Sequence, residues 1–137
     1  MAGPIFNCKL ATALPQLKNG ETILFEADVN DGALYDNKTG TFVARLAGWY
    51  HFSFAVATSD SYTPAAVSLQ KDSIPIAHAI TDVPTKTSPL AVSQGSNQAI
   101  VFMKPGEKAK VVGYHHNASN IVADGFTTFT GYLLKEA

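Results

Sequence analysis

Two adjacent histidines, His115 and His116, are the residues of this sequence whose type and spacing most suggest metal chemistry. Imidazole nitrogens bind transition metals such as zinc, but neighbouring residues of a β-strand point to opposite faces. We expect a strand over residues 108–115, which would keep the two rings apart, although a turn at the pair would weaken that objection. Because no third ligand is evident from the spacing, structural or solvated roles are favoured for this pair and for the isolated His51.

Three carboxylates, Asp60, Asp82 and Asp124, fall in predicted loops that are far apart in the sequence. A hard cation such as calcium requires six to eight oxygen ligands, so no single loop of this chain supplies a complete site. A site shared between loops or between subunits remains open. Calcium is the only cofactor that these residues suggest, and none is certain.

No arrangement of residues typical of an enzyme is found. The sequence contains no GxSxG, HExxH or glycine-rich phosphate-binding motif. Its single cysteine, Cys8, lies in a predicted first strand, IFNCKL, where a small buried side chain is the usual role. One cysteine also excludes an intrachain disulfide bond. We therefore expect a protein without catalytic activity.

Some residues suggest modification or ligand contact rather than catalysis. Asn37 and Asn117 begin two N-glycosylation sequons, a number close to that expected by chance from this composition. Trp49 and Tyr62 have side chains able to stack on a sugar, although aromatic residues of a β-protein more often lie in the core or in an interface.

Charge and hydropathy exclude several classes of partner. Ten basic and eleven acidic residues give a net charge of −1, which argues against a nucleic-acid-binding protein. No apolar run approaches the roughly 20 residues of a membrane-spanning helix, so we expect no membrane insertion. The opening MAGPIF lacks the pattern of a signal peptide, which a mature secreted protein would also lack.

Turn signals every 8–15 residues and many β-branched and aromatic residues predict an all-β sandwich of about ten short strands. The strongest strand is 48–57, in which alternate aromatic residues form one face. Its other face, with Trp49 and His51, is too apolar to be simply solvated, so we expect it to contact a neighbouring subunit. Further strands are predicted at 22–28, 41–46, 65–70, 74–80, 90–93, 98–103, 108–115 and 126–134.

The order of motifs along the chain resembles the globular head domain of the complement C1q family. The motifs are PIFNCKLATALPQL, then YDNKTGTF followed by GWYHFSF, then FMKPGEKAKV and FTTFTGYLL. They extend over about residues 4–135, so one domain is expected over 1–137. TGTFVAR departs from the TGxFTCP of many members, because it lacks the cysteine and the proline.

The resemblance implies a ten-stranded jelly roll related to the tumour-necrosis-factor fold, assembled as a trimer, secreted and non-catalytic. The expected function is that of a pattern-recognition lectin whose partners are microbial or other glycans. The candidate ligand-binding residues are Asp60, Tyr62, His115, His116 and Asp124, with Asp82 as a calcium ligand. The alternative is a structural, adhesion or signalling module that binds a protein receptor.

Overall fold

Two antiparallel β-sheets pack face to face in the computed structural model, which describes residues 3–84, 91–115 and 117–137. The twelve strands found in these ranges are β1 Ile5–Lys9, β2 Leu14–Gln16, β3 Glu26–Asp31, β4 Tyr35–Asp36, β5 Thr41–Val43, β6 Gly48–Thr58, β7 Ala66–Lys71, β8 Ile74–Ile80, β9 Ser93–Met103, β10 Lys108–Gly113, β11 Ser119–Ile121 and β12 Thr128–Glu136. None of the described residues forms a helix long and apolar enough to span a membrane.

The first sheet has the order β2-β11-β6-β12-β1-β3, and β9 pairs with β6 along its whole length, from Gly48 to Thr58. The second sheet has the order β4-β5-β10-β7-β8. Strands adjacent in either sheet are often distant in the sequence, as β1 and β12 are. Strands that follow one another in the chain often lie in different sheets, as β5 and β6 do.

Strand β6 confirms the alternation predicted for 48–57. Tyr50, Phe52, Phe54 and Val56 are buried between the sheets because successive residues of a strand point to opposite faces. Around them lies a cluster of aromatic rings, in which the Phe6 ring centroid is 5.0 Å from that of Phe129. The core is therefore built largely from aromatic side chains of both sheets.

Gly131 on β12 lies inside this aromatic cluster. A Cβ atom at that position would lie 2.5 Å from Phe6 and 2.7 Å from Phe52. Only glycine leaves room for both rings at this position.

Two predicted strands, 90–93 and 98–103, are wrong as separate elements, because β9 continues from Ser93 to Met103. Gly95, although glycine is a residue type common in turns, lies within β9 and against β8, where a Cβ atom would overlap the Ile80 carbonyl oxygen. Asn97 donates a hydrogen bond from its side chain to the His78 carbonyl. The turn-forming composition thus reflects a close approach of two strands.

The predicted strand 22–28 is also displaced, since β3 begins at Glu26. The preceding segment pairs with other groups: Ile23 donates its N–H to the Val111 carbonyl, and the Tyr35 hydroxyl bonds to both the N–H and the carbonyl of Phe25. Burial raises the pKa of Tyr35, so this hydroxyl remains protonated and able to donate.

Cys8 is fully buried on β1, as predicted, and is a free cysteine. Burial is the main cause that raises its pKa to about 12, with a smaller contribution from Asp28. A thiol with so high a pKa is protonated at neutral pH and is a poor nucleophile.

Candidate recognition site at the loop end

The loops that carry the candidate residues gather at one end of the sandwich. At this end Thr58 of β6 pairs with Ser93 of β9 and Ile121 of β11, and Ala66 of β7 pairs with Ile80 of β8. The segments after β6, β8 and β10 and before β12 therefore emerge together. We call this the loop end.

Asp60 holds two of these segments together. Its Oδ1 atom accepts hydrogen bonds from the N–H groups of Tyr62 at 2.8 Å and Thr63 at 3.3 Å. Its Oδ2 atom accepts from the N–H and the hydroxyl of Ser119, both at 3.0 Å. These donors lower the pKa of Asp60, those of Tyr62 and Ser119 contributing most. The Asp60 carboxylate thus links the loop after β6 to the start of β11.

The other predicted ligands lie on the same end but apart from one another. Tyr62 is 78% exposed at the tip of the loop after β6. Asp82 is exposed after β8, and Asp124 is exposed in the Asp124-Gly125 turn. No hydrogen bond or ion pair in the described chain joins Asp82 to Asp60 or Asp124. Within the same residues, no three His, Cys, Asp or Glu side chains lie close enough to hold a metal ion.

His115 does not lie on a strand, because β10 ends at Gly113. Its φ of 58° places it in the left-handed region, and its N–H donates a 2.8 Å hydrogen bond to the side-chain oxygen of Asn19. The prediction of strand structure at this residue is therefore wrong. The side chain of Asn19 fixes the local reversal of the chain. His116 lies outside the described residues.

Three rings follow one another across the second sheet near this turn. The Tyr114 ring centroid is 4.2 Å from that of His78 on β8 and 4.1 Å from that of His115. We call this set the aromatic row. His78 and His115 are exposed, and Tyr114 is half-buried between them. The row offers planar surfaces to solvent at the loop end.

A groove of about 400 Å³ lies beside the aromatic row. Its lining consists of side chains from two distant segments, namely Gln16, Leu17, Lys18, Asn19, His115 and Asn117. Most of these residues carry amide, imidazole or ammonium groups. Such groups donate and accept hydrogen bonds, as recognition of a polar ligand requires.

The two sequons lie in different environments. Asn117 is only 4% exposed, and its amide bonds to both backbone groups of Ala66, accepting from its N–H at 3.1 Å and donating to its carbonyl. The Asn117 side chain thus forms hydrogen bonds to the backbone of β7 of the kind that a neighbouring strand would form. Asn37 is exposed in the turn between β4 and β5. Of the two amides, only that of Asn37 is accessible in the folded chain.

The outer face of the first sheet is apolar over half its length. Its exposed apolar side chains include Trp49, which is 45% exposed and contacts Phe102, and Ile100, which is 57% exposed. His51 lies between Ile100 and Tyr132; its Nε2 atom is 3.0 Å from the side-chain oxygen of Gln98. The Nδ1 atom of His51 is buried and has no hydrogen-bond partner in the described chain. We call this surface the apolar face.

Comparison with known proteins identifies the fold. The sequence pattern of the C1q domain matches residues 5–134. The chain belongs to the C1q domain family. The globular domain of zebrafish complement 1qA superposes with a TM-score of 0.77 at 16% identity, covering 98% of this chain and 99% of that chain. These findings confirm the predicted jelly roll of the C1q and tumour-necrosis-factor type.

A second solved structure shares the fold, and one relative is similar in sequence. The TNF protein Eiger from S. frugiperda gives a TM-score of 0.75 at 11% identity and covers 100% of this chain and 96% of that chain. "Heavy metal-binding protein HIP" of Mytilus edulis is 29% identical over 134 residues, which are 94% of this chain. This chain spans only 59% of that mussel protein.

Sequence reasoning located His115 but missed the residues around it. Lys18 and Asn19 were not among the predicted site residues, and His78 and Tyr114 lay in the predicted strands 74–80 and 108–115. The adjacency of Tyr114 and His115 was the only available signal, because the other partners come from remote segments.

Proposed function

We propose that this C1q domain is a secreted, non-catalytic recognition module that forms a homotrimer and binds glycans at the loop end. The observation that carries the proposal is the aromatic row beside the polar groove at His115. Aromatic rings pack against the apolar faces of sugars, and amide groups bond to hydroxyls. C1q-domain proteins are typically extracellular and generally lack enzymatic activity, which agrees with this role.

Support for the homotrimer comes from the apolar face. Domains of this fold usually form trimers. Trp49, Ile100 and Tyr132 leave an apolar surface of the kind that interfaces between subunits bury.

Light scattering coupled to gel filtration tests the assembly. A trimer of 14.6 kDa chains would have a mass of about 44 kDa. Trp49→Lys introduces a charge on the apolar face and is expected to shift the mass towards that of the monomer, whereas Lys38→Ala in an exposed turn leaves it unchanged. A wild-type mass near 15 kDa at micromolar concentration would refute the homotrimer.

Each groove is shallow, so one site is expected to bind a sugar with a millimolar dissociation constant, or about 4 kcal/mol. Three sites on one trimer would raise the avidity for a repetitive surface by about 10²–10⁴ if their spacing permits simultaneous contact. Microbial polysaccharides present such repeated sugars.

A glycan array probed with the intact trimer tests glycan recognition. We expect binding that falls in Tyr114→Ala and in His115→Ala but persists in Lys38→Ala. Parallel arrays with calcium and with chelator test the prediction that Asp82 is a calcium ligand, and Tyr62→Ala tests the tip of the loop after β6. Retention of no glycan above background would exclude the lectin function and favour a structural role or a protein receptor.

Metal binding is a second candidate function, suggested by the name of the mussel relative. His78 and His115 are exposed, and no hydrogen bond engages their ring nitrogens in the described chain. Both rings lie against Tyr114, and no third ligand lies with them among the described residues. Calorimetric titration with zinc and with cadmium tests this function; binding that His78→Ala and His115→Ala leave unchanged would place any metal elsewhere.

A further inference from the structure

The groove beside the aromatic row has an uneven distribution of charge. Of the described side chains that line it, only Lys18 and His115 can carry a charge, and both can only be positive. The Lys18 ammonium is exposed and forms no ion pair within the described residues. No carboxylate is found among the described residues of the groove lining.

Two carboxylates, Glu21 and Asp60, accept hydrogen bonds from residues that line the groove or lie close to them in the chain. The Glu21 side chain accepts a 2.9 Å hydrogen bond from the backbone N–H of Lys18. Asp60 accepts four hydrogen bonds, two of them from Ser119 on the strand that follows Asn117. Both carboxylates are therefore stabilised by backbone donors, whereas the Lys18 ammonium forms no ion pair among the described residues.

We propose that the groove selects acidic sugars, with Lys18 binding the anionic group of the ligand. The proposal rests on the glycan-binding function proposed above and names the class of ligand. His115 and the amides of Gln16 and Asn19 surround the same space and can bond to the sugar hydroxyls. A sugar carboxylate entering there gains the Lys18 charge without displacing a protein carboxylate.

The chain provides a matched control for Lys18. Lys18 donates its N–H to Glu21 three residues later, and Lys104 donates its N–H to Glu107 in the same way, at 2.7 Å. Both lysines are exposed. Lys104 follows β9 at the opposite end of the sandwich, so Lys104→Gln removes the same charge from the same local structure away from the groove.

Galacturonate and galactose, which differ by one carboxylate at the same carbon atom, are suitable probes. Titration of the isotope-labelled trimer, followed by nuclear magnetic resonance, gives both the dissociation constant and the amides that shift. We expect galacturonate to shift the amides of Asn19 and His115 and to bind about two- to fivefold more tightly than galactose, as an exposed ion pair allows. Lys18→Gln should abolish this preference, and Lys104→Gln should retain it.

The outcomes separate this inference from the function on which it rests. Equal affinity for the two sugars at the groove, or a galacturonate preference that survives in Lys18→Gln, overturns the selection of acidic sugars and leaves glycan binding intact. If neither sugar shifts a groove amide and the glycan array is also blank, both proposals are overturned. Retention of the trimer mass in Lys18→Gln confirms that the variant is folded.

Discussion

Asn117→Ala is the perturbation that most directly tests how the loop end is held together. The Asn117 amide bonds to the N–H and the carbonyl of Ala66, and both residues are buried. Alanine removes the acceptor of the Ala66 N–H, whereas the Ala66 carbonyl keeps a 3.0 Å hydrogen bond from the Tyr114 N–H. A buried backbone group left unsatisfied costs about 1–3 kcal/mol. We therefore expect the free energy of unfolding to fall by about 1–3 kcal/mol.

Urea unfolding followed by fluorescence measures this effect. With an m-value of about 2 kcal/mol/M, the expected loss lowers the urea midpoint by about 0.5–1.5 M. All variants must be compared at one protein concentration, because the stability of an oligomer depends on concentration. Two controls accompany the variant. Asn37→Ala, at the exposed sequon, is expected to change stability by less than about 0.5 kcal/mol, and Ser119→Ala removes the second sequon while keeping the Asn117 amide.

A loss below about 1 kcal/mol in Asn117→Ala would refute the view that this amide replaces a paired strand. The same set of variants tests the sequons when the chain is secreted from a glycosylating host. We expect Asn37 to carry a glycan and Asn117 to remain unmodified, since its nitrogen is buried and bonded in the folded chain. Modification of Asn117 in the folded trimer would contradict the structure at this point.

Three further predictions concern the core and the loops. Cys8, with its pKa raised to about 12 and its side chain fully buried, should react with a thiol reagent at pH 8 only after unfolding; rapid reaction of the native protein would contradict this. The lowered pKa of Asp60 stabilises the fold above the ordinary carboxyl range near pH 4, and this contribution is lost as the pH falls through the folded-state pKa. The stability difference between wild type and Asp60→Asn should therefore shrink between pH 7 and pH 3 in urea unfolding, whereas a constant difference would contradict the assignment. Gly131→Ala should cost about 1–3 kcal/mol through its contact with Phe6, and an unchanged urea midpoint would show that the rings yield freely.

The fold was predictable where one local rule decided the structure. In β6 the alternation of large apolar residues identified the buried face, because the two sides of a strand have different surroundings. Local rules failed where a tertiary contact dominated. Gly95 is of a residue type common in turns, yet it lies within a continuous strand. A glycine is needed there because a Cβ atom would meet the nearby Ile80 carbonyl. The end of β10 likewise depends on Asn19, whose side chain bonds to the N–H of His115.

The candidate site was less predictable than the fold for a related reason. Asn19 and His115 are 96 positions apart and meet only because the strands around them are paired. The residue type of Asp60 also led to a wrong expectation about its role. Asp60 is a carboxylate in a loop, as a ligand-binding residue would be, but its oxygens accept hydrogen bonds from Ser119 and from the backbone. Sequence patterns record the type of a side chain and leave its partners unspecified.

At the loop end, some side chains hold the loops in place and others remain available to a ligand. Asp60, Asn117 and Asn19 hold the loops by bonds from side chain to backbone, where no strand ladder extends. The Lys18 ammonium and the His115 imidazole make no hydrogen bond within the described chain. Substitutions at these two side chains are therefore expected to alter ligand preference with little cost in stability, whereas changes at the three holding residues alter both. The rigid jelly roll and its fixed loops thus leave the groove surface free to vary.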